Sequence, residues 1–367
     1  MKDIPYIDFG HTPYEAAFGR ADVYCVQGTP ERAAKKPLSI AIAGCGGVAQ
    51  AKWIPAVRRL QTIGEPFVIA GVTDVDEARR RKAASLCAAP AFPTTAELLA
   101  HARPDLMLVL ASDPFHVPLA REAIEKGIPC LVEKPLAPSY PDASSLAKFA
   151  EERGVLLAAV ANKRFSPPYA QAKALIEAGA LKTQPTVFTG KFTLGYPYVD
   201  LLLGGTVHLL DLMLWFMGPV ARLNARSTIL DDGGLESAVV SFRFATGAIG
   251  MIMTSAAGLS FAPWERVEIL GRNAFLVVDD QLELTLHDSE TASARNWRPS
   301  VPNTLMFDES FGGYSGLLEN VLDSVRGLAK LGSSGRDGAA AIALIDAIRF
   351  SLERDAEIDL STEGLMP

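Results

Sequence analysis

Residues 40–53, IAIAGCGGVAQAKW, run from a continuously apolar segment through glycines into polar, helix-tolerant residues. Gly44-Cys45-Gly46-Gly47-Val48-Ala49 fits the spacing G-x-G-x-x-G/A between a buried strand and a helix. There the first glycine permits a tight turn, the second lets backbone approach a pyrophosphate, and Ala49 allows close helix–strand packing. The helix start adds unpaired N–H groups and a partial positive charge for that anion. A glycine turn alone fits a plain loop equally well. Asp74 is the deciding addition, because it ends the next apolar run, VIAGVTD, where a carboxylate can accept from an adenosine ribose. It lies 28 residues beyond Gly46, past the usual offset of about 20, and the loop through Gly64-Glu65-Pro66 takes up the excess. An acid there repels a 2′-phosphate, so NAD(H) is expected. The nearby Arg79–Arg81 leave NADP(H) open as the alternative.

Working outward, apolar runs alternate with helical stretches at βαβ spacing: LSIAIAG, FVIAGVTD, PDLMLVLAS, PCLVEKP and VLLAAVAN. The runs are continuous rather than alternating, as in a parallel sheet buried on both faces. The first helix is expected from about Gly47 to Gln61, kinked at Pro55. After about residue 165 the pattern changes to two helices and a strand-rich stretch, with a hairpin turn near Thr246-Gly247. The expected fold class is α/β: an N-terminal Rossmann dinucleotide-binding domain plus a C-terminal α+β domain with a large open, mostly antiparallel sheet. The expected divisions are an arm over residues 1–36, the Rossmann domain over 37–162, and a substrate-binding and oligomerisation domain over 163–367. In the last, GAAAIALIDAIRFSLER forms a helix returning to an interface.

The chain has 367 residues, 49% apolar and 21% charged, and a formal net charge of −7, an ordinary globular balance that disfavours a nucleic-acid partner. Its basic run Arg79–Lys82 reads as the solvated face of a helix. Cys25, Cys45, Cys87 and Cys130 are scattered without metal spacing, so no metal site and a reducing, cytoplasmic setting are expected. The first twenty residues have no apolar signal region, and no window approaches 18 apolar residues, so no membrane partner is expected.

With CLVEKPLAPSYPDASSL the chain resembles the Gfo/Idh/MocA oxidoreductase family, the glucose–fructose oxidoreductase and inositol dehydrogenase group. GCGGVA, Asp74, SDPFHVPLAREAIEKG, NKRFSPPY and GGTVHLLDLMLWFMG carry the same likeness from residue 38 onward. The resemblance implies a tightly held nicotinamide and a small-molecule substrate of sugar or polyol type. It implies that Lys134 lies between nicotinamide and substrate, with Glu133 near the cofactor. Ser112, Pro114 and His116 are then expected on the nicotinamide side of the cleft, Asn162 and Arg164 at its floor, and His208 as the catalytic histidine. A lysine held beside a cationic ring and partly out of water sheds its proton more readily, and a histidine in a helix's first turn is biased toward neutral. Lys134 and His208 are therefore expected to share the acid–base work. His208 with Asp211 three residues on also fits a structural pair.

One position departs from the family pattern. An aspartate commonly stands four residues before this histidine, where this chain has Gly204. Asp200, Tyr196 or Tyr198 are candidate replacements, and Trp264, with Asp211, is a candidate lining of the substrate pocket. The long stretch ARNWRPSVPNTLMFDESFGGYSG offers Arg295, Asn296, Arg298 and Asn303, with either Arg295 or Arg298 able to receive an acidic sugar and a surface loop equally consistent. The expected function is NAD(P)-dependent hydride transfer on a sugar, polyol or derivative. The rivals are a redox-inactive dinucleotide-binding sensor, motivated by Gly204, and a glycosidase using NAD transiently. A flat open sheet leads to an expected homo-oligomer, dimer or tetramer, with the arm able to clasp a neighbour.

Overall fold

The computed structural model describes residues 32, 34–194, 200–231, 233–256, 264–298 and 311–365. Tyr196, Tyr198, Asn303, Cys25 and most of the arm lie outside the described residues. The six N-terminal strands are β1 (Leu38–Ala43), β2 (Phe67–Thr73), β3 (Ala91–Phe92), β4 (Leu106–Val109), β5 (Cys130–Val132) and β6 (Leu157–Ala159). They form one sheet in the order β3-β2-β1-β4-β5-β6, with every pairing parallel. Strand order reverses between β1 and β4, the switch point where open α/β sheets leave a crevice at the strands' carboxyl ends.

The uninterrupted apolar runs have a direct cause. In β4, Leu106 and Leu108 enter one hydrophobic core, while Met107 and Val109 enter the other. Both faces are covered, so every position must be apolar. The two-residue β3 was not legible from the sequence.

The helix expected from about Gly47 to Gln61 is helical from residue 47 through 62, with a widened segment ahead of Pro55. Residues Ala49–Trp53 form a widened π-helical turn, and α1 (Ile54–Thr62) starts after it with Pro55 in its first turn. The Ile54 N–H reaches back to the Ala49 carbonyl. Pro55 thus lies inside a continuous helical run, directly after the π-turn that loosens the i→i−4 ladder proline cannot join.

The second sheet has nine strands: β7 (Val187–Thr193), β8 (Val220–Ile229), β9 (Leu235–Phe244), β10 (Ile249–Ser255), β11 (Glu265–Leu270), β12 (Ala274–Asp279), β13 (Glu283–Asp288), β14 (Ser293–Trp297) and β15 (Ile358–Asp359). Their order is β14-β13-β12-β11-β7-β10-β9-β8-β15. All pairings are antiparallel except β7 with β10. The β9–β10 hairpin turns at Thr246-Gly247, where Gly247 adopts φ +86°.

Two helices join the halves. One is α8 (Tyr314–Val325), whose Leu317, Leu318, Val321 and Leu322 share a core with Trp53, Val57 and Leu60 beneath the first sheet. The buried Arg326 guanidinium meets the fully enclosed Glu65 carboxylate at 2.5 Å and holds that helix in place. The other is α9 (Gly335–Arg354), opened by a Ser334/Asp337 capping box. A Cβ on Gly338 would come within 2.6 Å of the Ala159 Cβ, so this helix seats against the edge strand of the first sheet.

Candidate functional site

The crevice is built from the loops that follow β1, β4 and β5. Gly44 has φ +96°, and a Cβ there would lie 2.3 Å from the Ala111 nitrogen. Only glycine lets these two loops touch. At Gly46 and Gly47 the opposite holds, since a Cβ would meet nothing within 4 Å. Their backbone faces open space at the start of a helix.

That space is a cavity of about 590 Å³, within the ordinary size range of ligand pockets. Of the residues expected to hold a cofactor, Gly44, Gly46, Gly47, Val48, Asp74, Ser112, His116, Glu133 and Lys134 line it. Pro114 stands exposed in the short turn Asp113–Phe115, outside the lining. The sequence reading missed Val75 and Phe115, which line the same cavity while 98% and 55% exposed. Large exposed apolar side chains beside a cavity suit a flat ring system.

Asp74 is fixed by backbone donors: the Cys45 N–H at 2.6 Å and the Asp76 N–H at 2.8 Å, one to each carboxylate oxygen. Each oxygen keeps a further lone pair for hydroxyl donors. Burial, then the Asp74 charge, pushes the Cys45 thiol up to about 12, so it is a packing group rather than a nucleophile. Glu133 is buried, accepting from the Trp53 indole N–H at 2.8 Å and the Lys134 N–H at 2.7 Å.

Lys134 also lines a second, much smaller pocket of about 20 Å³ with His208 and Asp211. Its ammonium donates to the Gly204 carbonyl at 2.8 Å. Gly204 belongs to a π-helical turn, Leu201–Thr206, that runs directly into α7 (Val207–Met217). His208 is therefore preceded by a full helical turn, and the expected first-turn dipole argument does not apply to it. Burial instead, reinforced by Lys134 and Lys163, pushes its imidazole well below the usual histidine range. The residue is half-buried and lines the small pocket.

Arg164 is taken up in packing. Its guanidinium grips Asp211 in bidentate fashion at 2.9 and 2.6 Å, meets Asp337 at 3.1 Å and donates to the Gly332 carbonyl at 3.0 Å. Burial pushes the Asp211 carboxyl up against the pull of this guanidinium. Asn162 donates to the Gly312 carbonyl at 2.6 Å, and its Oδ1 is buried without a partner among the described residues. Neither Asn162 nor Arg164 lines the 590 Å³ cavity.

Between them sits Lys163, which the sequence reading passed over. It is 4% exposed, pairs with the buried Glu265, and lies 4.8 and 5.0 Å from the ring centres of Phe192 and Trp264. Burial and then Lys134 push its ammonium well below the usual lysine range. Trp264 is half-buried edge-on to Phe192 at 5.4 Å.

Asp200 caps the π-helical turn through the Leu203 N–H at 2.7 Å and lies 3.5 Å from Arg349. Arg295 and Asn296 stand on the exposed edge strand β14 rather than in a loop, with Arg295 over the Trp297 ring. Among the described residues no group of three or more His, Cys, Asp and Glu converges as for a metal. No described helix is long and apolar enough to cross a membrane.

Comparisons with known proteins agree with this architecture. Residues 38–161 match the family described as an oxidoreductase family with an NAD-binding Rossmann fold, and residues 201–360 match its C-terminal alpha/beta domain. The chain belongs to the Gfo/Idh/MocA oxidoreductase family. As a member it carries an NAD-binding Rossmann unit and is an NAD-dependent dehydrogenase. One relative, a putative oxidoreductase YceM of Salmonella typhimurium, is 28% identical over 54% of this chain, a match spanning 62% of that protein. A myo-inositol 2-dehydrogenase of Thermotoga maritima is 24% identical over 80% of this chain and 91% of its own length. An Agrobacterium radiobacter oxidoreductase, solved with NAD+, L-tartaric acid and magnesium, superposes with a TM-score of 0.80 at 19% identity, covering 89% of this chain and all of that one.

Proposed function

We propose that this chain transfers a hydride between NAD and a secondary hydroxyl or carbonyl of a sugar, polyol or sugar derivative, with Lys134 and His208 handling the proton. The observation that carries this reading is the position of Lys134, which lines both the 590 Å³ cavity and the small pocket containing His208. The glycine cradle fits a dinucleotide: Gly46 and Gly47 leave room against the backbone for a diphosphate, and Asp74 has spare acceptor capacity for ribose hydroxyls. An acid at Asp74 favours NAD(H) over NADP(H). When bound, the nicotinamide supplies the hydride acceptor or donor. Lys134, anchored on Gly204, takes the hydroxyl's single proton as a neutral amine and returns it to the substrate oxygen as an ammonium, while neutral His208 in the same small pocket accepts a hydrogen bond from the lysine N–H. Relatives named inositol 2-dehydrogenase support a polyol-like substrate.

In this reading residues 37–162 form the nucleotide unit and 163–367 the substrate and self-association unit. The outer face of the second sheet, where Val239, Ile249 and Met251 stand exposed, is the surface on which copies meet. The test is calorimetry with NAD+ and NADH, followed by nicotinamide absorbance with a panel of inositols, aldoses and sugar acids. Both coenzymes bind and at least one polyol or sugar is oxidised; failure of both coenzymes to bind defeats the reading.

A further inference from the structure

His116 begins α4 (His116–Glu125), the helix after the β4 loop, and is 1% exposed. Its Nδ1 lies 2.7 Å from the Pro135 carbonyl oxygen, and its Nε2 lies 2.8 Å from the Ala111 carbonyl oxygen. Carbonyl oxygens only accept, so each contact needs an N–H. Neutral imidazole has one N–H and one bare lone pair. It would make one of these bonds and press a lone pair against an oxygen at the other.

Turning the ring over does not relieve this. Carbon atoms would then stand where the nitrogens are, far inside the roughly 3.3 Å that even C–H···O contacts keep. Only the imidazolium, with two N–H donors, satisfies both carbonyls.

We propose that His116 is held as a doubly donating imidazolium, a positioning residue that fastens the loop after β4 to the segment carrying Lys134. Ala111 is also the residue against which Gly44 packs. The brace therefore links all three loops of the crevice: after β1 through Gly44, after β4 through Ala111, and after β5 through Pro135. Lys134 immediately precedes one anchor point, so the brace sets where its ammonium stands in the crevice. Asp74, Arg79, Asp113, Glu133 and Lys134 are the ionisable groups that share the cavity wall with this ring. The positioning half of the inference rests on the reading of Lys134 as the proton-transfer group; the charge state of the ring does not.

The experiment uses the full chain labelled with 15N-histidine. Ring signals recorded at neutral pH are assigned by their loss in His116→Gln. Both His116 nitrogens are expected to carry protons, and a single bare ring nitrogen overturns the proposal whatever the enzyme's activity. The same variant tests the positioning role through kcat at saturating coenzyme and substrate, which is expected to fall at least about tenfold whatever the change in NADH affinity. An unchanged kcat, or a loss confined to NADH affinity, overturns the positioning role. Should the variant fail to fold, His116→Asn replaces it both for assigning the ring signals and in the kinetic comparison. Failure of the Lys134 reading shows separately, as a Lys134→Ala variant that keeps its turnover.

Discussion

The Lys134 ammonium donates a 2.8 Å hydrogen bond to the main-chain carbonyl of Gly204. The two residues stand 70 positions apart, one after β5 and one in the turn that leads into α7. This bond stitches the nucleotide crevice to the second sheet at the point where the chain carries glycine instead of a carboxylate. A backbone oxygen fixes the ammonium without adding a charge. Lys134→Ala is expected to lower turnover at least about a hundredfold, the scale of a lost general acid–base. NADH affinity measured by calorimetry should change little, since the diphosphate cradle is built from the loop after β1 and not from Lys134. Unchanged turnover would remove the lysine from the chemistry.

Two glycines of the same loop should fail in different ways. Gly44→Ala forces a Cβ into the Ala111 backbone at a φ of +96°. The expected cost is about 3 kcal/mol or more in denaturant unfolding. Gly46→Ala meets no protein atom. It should unfold like the parent yet bind NADH at least about tenfold more weakly, a loss of about 1.4 kcal/mol, because its methyl group stands where a diphosphate would rest. Equal NADH affinity in the parent and in Gly46→Ala would take the diphosphate off this loop.

How much of this was legible depended on whether the deciding contact was local. The first sheet was readable because burial on both faces makes LSIAIA, FVIAGVT and LMLV uniformly apolar. In the second sheet β7, VFTGKFT, passed unread: its central Gly190 looks like a breaker, but a Cβ there would come within 2.9 Å of Leu209 on α7. The edge strand SARNW is polar and largely exposed, so it carries no period to detect. At the site, the glycine turn and Asp74 announce themselves by spacing. Arg164 does not, because the partners that occupy it lie 47 and 173 residues away, at Asp211 and Asp337. Its neighbour Lys163 was invisible for the same reason, since Glu265 lies far along the chain.

The Arg164–Asp211 pair is buried on both sides, with side chains 5% and 9% exposed. Removing one partner of such a pair leaves an uncompensated charge, and typically costs 3 to 5 kcal/mol, or about that range here. Arg164→Met is therefore expected to lower unfolding free energy by about 3 kcal/mol or more. Arg164→Met combined with Asp211→Leu should recover part of the loss, because the stranded carboxylate is gone. A double variant no more stable than the single one would show that the guanidinium's bonds to Asp337 and Gly332, rather than the pair, carry the effect.

His208 gives a pH signature whose sign can be worked out. In the unfolded chain its imidazole takes up a proton near the ordinary value of about 6.5. In the folded protein burial and the nearby Lys134 and Lys163 hold it neutral well below that. Between those two values the unfolded state binds more protons, so stability is lost as pH falls through about 6.5 and is fully present above it. His208→Gln removes the titrating group while keeping a polar side chain of similar reach. Thermal midpoints of the parent should therefore drop more steeply than those of the variant between about pH 7 and pH 5, with the two curves parallel at higher pH. Parallel curves across the whole range would mean that the folded His208 takes a proton as easily as the unfolded one. It would then not be the neutral acceptor that the proposed proton transfer requires.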